Sequence, residues 1–457
     1  MQRTAVLNVV GLTPRLLERM DRLRALGRDG AVTPIQTITP AVTCPVQSTM
    51  LTGALPAQHG VVANGWYDRG SAEVRFWRQS NGLVGSEKIW EAAKRRDPSF
   101  TCANLFWWFN MYSSVDIALT PRPMYPADGP KIPDLWTTPT VLRDELQQEL
   151  GRFPLFKFWG PAAGIESSEW IARSAKRIEE RFSPTLSLVY LPHLDYNLQR
   201  LGPNDPKLDA DGREVDELAG DLVEFYASRG VQTIVLSEYG VTDVAHPVSI
   251  NRALRQEGLL AVRTELGREL LDAGASRAFA VADHQIAHLY INDPAALGAV
   301  RRLVVSLSGV ERVLDAEGKR DHGLDHPRSG ELVAISDPEA WFTYDYWLDE
   351  ARAPDFARTV DIHRKPGYDP RELFLDPTMV APKAQIAWKL VRKKLGFRTL
   401  FDVIPLDASL VKGSHGRPTD DPADGPVLIA PQTDLLQSDP ITAVDVRDVI
   451  LRLLFGD

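Results

Sequence analysis

Five short runs of apolar and β-branched residues mark the chain at intervals: 4–10 (TAVLNVV), 185–191 (TLSLVYL), 231–237 (VQTIVLS), 285–291 (QIAHLYI) and 330–336 (GELVAIS). They do not alternate with polar residues, so each reads as a strand buried on both faces. Between the second and third lies 214–230 (EVDELAGDLVEFYASRG), an amphipathic helical segment closed by Gly230. Strands of this kind alternating with amphipathic helices predict an α/β fold with a mostly parallel sheet covered by helices on both faces. Crossovers in such a sheet are right-handed, and functional residues gather at the carboxyl ends of the strands. Three polar clusters fall there: LPHLDYNLQR (191–200), SEYG (237–240) and the turn Thr43-Cys44-Pro45 ahead of a helix-like segment.

From 251 to 382 the texture changes. Strands scatter, aromatics cluster in WFTYDYWLDEARAPDF, and HRKPGYDPRELF is rich in turn formers. This stretch reads as an inserted cap, which leaves 1–250 and 383–457 as the core. The segment 383–397 (KAQIAWKLVRKKLGF) is a basic amphipathic helix, either a solvated face or a membrane-surface element.

Composition narrows the function. The net charge of −9 argues against a general nucleic-acid binder, which needs a basic face, but leaves room for a small anionic substrate. Cys44 and Cys102 are the two cysteines, which suits a reducing compartment and a cytoplasmic protein. The N-terminal apolar run is too short to span a membrane.

Around the first turn, TCPVQSTMLTGALPAQHGVVANGW places Thr43, Pro45, Thr52, Gly53, Pro56, His59, Gly60 and Asn64 at telling intervals. This segment resembles the nucleophile region of the nucleotide pyrophosphatase/phosphodiesterase branch of the alkaline phosphatase superfamily, in a divergent bacterial subgroup. The resemblance continues through YLPHLDYNLQRLGP, VLSEYG and GSHGRPTDDPADGPVLIAP. It implies an alkaline-phosphatase-like sheet, a hydrolase acting on a phosphoester or related anionic ester, and Thr43 as nucleophile through a covalent phospho-enzyme. A neutral hydroxyl needs a metal or a base to attack. In the family two zinc ions do this, clamping the attacking and leaving oxygens.

This chain departs from the family's metal ligands. Val10 stands at the Asp position that ends the first strand, and Tyr239 stands at a His position beside Glu238. In the other site Asp195 and His415 match, whereas Gln199 occupies the His position. His193, two residues from Asp195, shares its face if the strand continues there, and is then a third ligand. Asp195, His415, His193 and Glu238 are thus the candidate metal ligands, for fewer than two divalent ions (Zn, Mn or Mg) or for none. Thr43, His193 and Glu238 are the catalytic candidates. The family's phosphate-holding Asn falls on Val46, with Gln47 beside it; Gln47 and Asn64 are candidate substrate contacts.

His363, Arg364 and Lys365 set three cations beside a Pro-Gly turn, where they could hold phosphate in place of absent metal. His284 and His288 read as a structural or exposed pair, as do His322 and His326, with Arg328 as a turn anchor. The aromatics of 106–112 and 66–81 read mostly as core, yet they could line an apolar pocket for an aromatic or hydrophobic substrate group. Three functions stay open: a phosphoester hydrolase, a degenerate relative that binds a ligand or partner, and a metal-independent esterase or transferase using Thr43 and a histidine.

Overall fold

The computed structural model describes residues 1–28, 30–127, 131–436 and 438–456. A nine-stranded sheet forms the centre, in the order Ile441–Thr442, Ala31–Gln36, Val427–Ala430, Gln232–Leu236, Thr4–Val9, Leu186–Leu191, Cys102–Leu105, Ile117–Pro121, Leu135–Thr138. The five strands from Gln232–Leu236 to Ile117–Pro121 run parallel. Val427–Ala430 and Leu135–Thr138 are antiparallel to their neighbours. The expected mostly parallel α/β sheet is therefore present.

Its middle strands are the continuous apolar runs. Every residue of Thr4–Val9 and Leu186–Leu191 is buried, in a register that sets Leu7 beside Val189 and Val235. The helices Ile165–Phe182 and Leu208–Ser228 pack on this sheet, as does Val446–Phe455, which also touches the helix Thr43–Thr52. The amphipathic segment expected at 214–230 is longer than its pattern suggested, because Leu208 and Asp211 add a buried turn at its start.

The segment after 250 builds a second, four-stranded antiparallel sheet from Ala278–Asp283, Ile286–Ile291, Leu332–Ser336 and Val310–Leu314. Its apolar cluster includes Phe279, Tyr290, Tyr344 and Trp347, and also Val61, Val62, Trp66 and Tyr67 from the first part of the chain. That shared cluster holds the second sheet beside the turn that carries Thr43. Among the described residues no helix is long and apolar enough to cross a membrane.

Candidate active site

The helix Thr43–Thr52 starts at the turn singled out in the sequence and stops at Gly53, whose φ of 65° is left-handed. Glycine takes that conformation without strain, which is the physical reason for the Thr-Gly pair. Thr43 is nearly buried and forms part of the floor of a cavity of about 130 Å³. The walls are mostly aromatic: Trp77, Trp108, Trp159, Tyr125, Phe156 and Phe158, with Tyr190, Tyr196, Tyr239 and Tyr368 deeper in. The polar groups that reach it are Asp195, His284, His363, His415, Gln79 and Lys131.

One chain of hydrogen bonds crosses the floor. The Tyr239 hydroxyl donates to Asp195 Oδ1 at 3.3 Å. Its proton is thereby committed, so the Thr43 hydroxyl is the donor in the 3.3 Å contact between Thr43 Oγ1 and Tyr239. Asp195 Oδ2 accepts from Gln199 Nε2 at 2.7 Å, and Gln199 Oε1 accepts from the Tyr368 hydroxyl at 3.0 Å. Burial raises the Asp195 pKa to about 7, against the lowering effect of its bonds to Gln199 and Tyr239.

A column of rings stands beside this chain. Tyr239 stacks on His415 with centroids 3.6 Å apart and planes 7° from parallel. His415 meets His284 at 3.6 Å, and His284 stacks on Tyr368 at 3.7 Å. His415 Nδ1 lies 2.9 Å from the Ala41 carbonyl and donates to it, which leaves Nε2 as the nitrogen able to meet a ligand. Burial holds the His415 ring neutral, with a pKa of about 3.

Glu238 lies behind Thr43, wholly buried. Its Oε1 accepts from Asn8 Nδ2 at 2.6 Å and from Gln47 Nε2, and its Oε2 has no partner. Burial, with a smaller push from the Asp195 charge, raises its pKa to about 8, while Gln47, Asn8 and the nearby Thr43 hydroxyl pull the other way. The next glycine, Gly240, is required by packing: a Cβ there would lie 1.6 Å from the Asp424 carbonyl oxygen.

Several expected site residues lie elsewhere. His193 does not continue the strand: it opens the helix His193–Leu201 directly after Pro192. Two residues on a helix are about 200° apart, so His193 faces away from the side that carries Asp195. Its Nε2 instead lies 3.1 Å from Asp211 and 3.2 Å from Glu214. Gln47 is consumed by Glu238 and by the Trp108 amide, which donates to its Oε1 at 2.7 Å. Asn64 braces the turn: its Oδ1 accepts from the Cys44 amide at 2.9 Å, and its Nδ2 and amide donate to Asp283. With Pro45 lacking an N–H, the helix start therefore has little left to offer an anion.

The three adjacent cations also separate. His363 reaches the cavity rim near Tyr125. Arg364 is exposed and pairs with Asp355. Lys365 is fully buried between Asp369 at 2.8 Å and Glu372 at 2.7 Å, in a network with Arg371 and Asp345, so it cannot hold phosphate. His284, expected as a structural or exposed residue, lines the cavity because the two-residue hairpin turn after Asp283 delivers it there. His288 is structural: its Nε2 lies 3.1 Å from the Val62 carbonyl. Arg328 anchors the turn, donating to the carbonyls of Gly60 and Leu83 at 2.7 Å each. Lys131 carried no sequence signal.

The donor set does not fit a two-zinc centre. Among the described residues the one group of three metal-ligating side chains within 4.8 Å of one another is His193, Asp211 and Glu214, outside the cavity. Asp195, Glu238 and His415 do not converge in this way. Tyr239 occupies the space among them, bonded to Asp195 and stacked on His415.

The fold is that of alkaline-phosphatase-like proteins. A phosphonoacetate hydrolase from Sinorhizobium meliloti 1021, solved with phosphonoformate, superposes with a TM-score of 0.63 at 14% identity, over 99% of this chain and 95% of that one. Murine ectonucleotide pyrophosphatase/phosphodiesterase 5, solved as an inactive variant with AMP, superposes at 0.58 with the same identity and coverage. The family model for type I phosphodiesterase/nucleotide pyrophosphatase matches residues 4–369, and the chain belongs to that family. An uncharacterized pyrophosphatase/phosphodiesterase of Schizosaccharomyces pombe is 26% identical over 248 residues, which are 52% of this chain and 43% of that protein. The match thus spans less than half of that relative's length.

Proposed function

We propose that the protein hydrolyses a small phosphoester with Thr43 as nucleophile, activated by Tyr239 and Asp195 rather than by a pair of metal ions. The observation that carries this reading is the directed bond chain from Thr43 through Tyr239 to Asp195 on the floor of the cavity. Asp195, with a pKa of about 7, is half ionised at neutral pH and can accept a proton there. The Thr43 proton passes to Tyr239 as the Tyr239 proton passes to Asp195. Thr43 Oγ1 then bonds to phosphorus while the bond to the leaving oxygen breaks, and the proton held at Asp195 returns to that oxygen. Water attacks the phosphothreonine in the second step, losing its proton to Asp195 and restoring the Thr43 hydroxyl. His363 and Lys131 line the cavity wall, which supports a role in holding the remaining phosphate oxygens.

The aromatic wall suits a flat or apolar leaving group. In this reading residues 1–250 and 383–457 carry the nucleophile, and residues 251–382 add His284, His363 and Tyr368 to the cavity. The steps above use no divalent ion; Asp195 and His415 are the residues that would hold one, and an ion there would take Asp195 out of its role as base.

The test is hydrolysis of a nitrophenyl phosphodiester. The wild type turns it over, and Thr43→Ala falls by roughly 10³-fold, as expected for loss of a nucleophile and its base together. Equal rates would end the proposal. The ring column favours a second reading, a binding protein without turnover, because four touching rings, two stacked pairs joined by a tilted contact, line the cavity where a flat ligand would lie. Tight binding of a nitrophenyl ester with no product from phosphodiester, phosphomonoester or sulfate ester would support it.

A further inference from the structure

The helix Pro382–Lys394 has no buried residue. It is the one element of more than ten residues in the described chain for which this holds. Trp388, Val391 and Leu395 are 61%, 46% and 67% exposed, and Phe397 and Leu400 continue the exposed apolar surface past its end. Isolated exposed apolar residues are ordinary, but a contiguous set on one helix marks an interaction site.

The faces can be assigned by angle at 100° per residue. Ala384, Trp388, Val391 and Leu395 fall within an arc of about 60°. The opposite side carries Pro382, Ile386 and Lys389, the three helix residues that are half-buried. Lys389 bonds to Asp402 and to the Leu400 carbonyl, so that side rests on the chain that follows. The helix therefore turns its apolar face outward. Lys383 and Lys394 border that face on one edge, and Arg392 and Gln385 on the other.

Charge selects the occupant. Lys383, Lys389, Arg392, Lys393, Lys394 and Arg398 lie between positions 377 and 401, with no acidic residue among them. The whole protein nevertheless carries −9, so this segment is a basic island on an acidic molecule. A second copy of the same helix would set like charges together. A nucleic acid would gain nothing from Trp388 and Leu395 facing outward. An apolar stripe with a tryptophan, bordered by lysine and arginine, matches the boundary between headgroups and acyl chains in an anionic bilayer.

We propose that Pro382–Lys394 and its continuation to Leu400 form an in-plane anchor that docks the protein on an anionic membrane surface. The proposal does not depend on Thr43 or on catalysis. It is tested by sedimenting the full-length protein with vesicles of phosphatidylcholine alone and of phosphatidylcholine mixed with phosphatidylglycerol. Binding to the mixed vesicles should exceed binding to the neutral ones by about tenfold or more at low salt, and molar salt should release most of it. Trp388→Ala with Leu395→Ala should weaken binding about tenfold through lost apolar burial, and Lys383→Glu with Lys394→Glu, on the edge of the same face, should do so through lost attraction. All four residues are exposed, so both variants should fold and keep wild-type phosphodiesterase rates. Wild-type protein that ignores both vesicle types, that binds them equally, or that is unaffected by either pair of changes would overturn the proposal. Concentration-dependent dimerisation lost in Trp388→Ala, without vesicle binding, would overturn it in favour of a second copy.

Discussion

Replacing Tyr239 by phenylalanine isolates the proposed proton path. The change deletes one oxygen and keeps the ring that stacks on His415 at 3.6 Å. That oxygen is the single link between Thr43 and Asp195, at 3.3 Å from each. In the wild type, a base with a pKa of about 7 is roughly a tenth ionised at pH 6 and nine-tenths ionised at pH 8. The kcat/KM for a nitrophenyl phosphodiester should therefore rise about tenfold across that interval. In Tyr239→Phe the rate should fall by about 10²–10⁴-fold, the usual range for loss of general-base assistance, and the rise should flatten. Unfolding cannot mimic this. Removing the hydroxyl leaves Asp195 Oδ1 short of one donor, about 1–3 kcal/mol. Unfolding entropy for 457 residues is roughly 1 kcal/mol per kelvin, so the melting temperature should drop only about 1–3 °C. A pH–rate profile with a melting curve for each protein decides the matter. A variant within threefold of wild type, with the same rise through neutral pH, would refute the path even if Thr43 were essential.

Lys365→Met should destabilise the fold by about 3 kcal/mol in urea titrations, because it leaves Glu372 buried without a cation and Asp369 with Arg371 alone; a small loss would show that water reaches Glu372. Glu238 contributes in the other sense. Its folded pKa of about 8 lies above the ordinary 4.5, so the folded state binds more protons, and stability from this group is full below the lower value and lost as pH rises through the upper one. Glu238→Gln removes that slope, and the stability difference between variant and wild type should move by about 3 kcal/mol in the variant's favour from pH 6 to pH 9. A constant difference would mean that Glu238 titrates normally. Trp108 packs against Trp77 with centroids 4.7 Å apart on the cavity wall. Trp108→Ala should raise KM for a nitrophenyl ester roughly tenfold while leaving a methyl ester nearly unchanged, and equal effects would argue against an aromatic leaving-group site.

The sheet was legible because its strands are buried on both faces, which forces unbroken apolar runs such as 4–10 and 185–191. The turn at Thr43 was legible because Gly53 answers a local demand, a left-handed φ that glycine takes without strain. His193 was misplaced although a signal existed. Pro192 favours a helix start over a continuing strand, and a helix turns positions two apart to opposite sides. The run His363-Arg364-Lys365 gave no such signal. Charge in sequence does not say which of three neighbours enters the core, and Lys365 is settled by carboxylates at Asp369 and Glu372 that pair with it only after folding. The hairpin that carries His284 is local, but its ring partners Tyr368 and His415 lie far along the chain, so no local pattern announced its place in the cavity.

The replacements at the metal-ligand positions are not independent losses. The retained Asp195 is bonded by the residues that stand where histidines are expected, Gln199 and Tyr239. A carboxylate on a divalent ion is held ionised by that charge and has no role as a base. Gln199 and Tyr239 are neutral donors, too weak to offset burial, so the same carboxylate titrates near neutral pH instead. Tyr239 also connects it to the hydroxyl that a metal would have activated. In the proposed reading, the same residues that stand at the family's ligand positions leave Asp195 as the base, joined to Thr43 through one ring. Aromatic stacking on His415 fixes where that ring can lie.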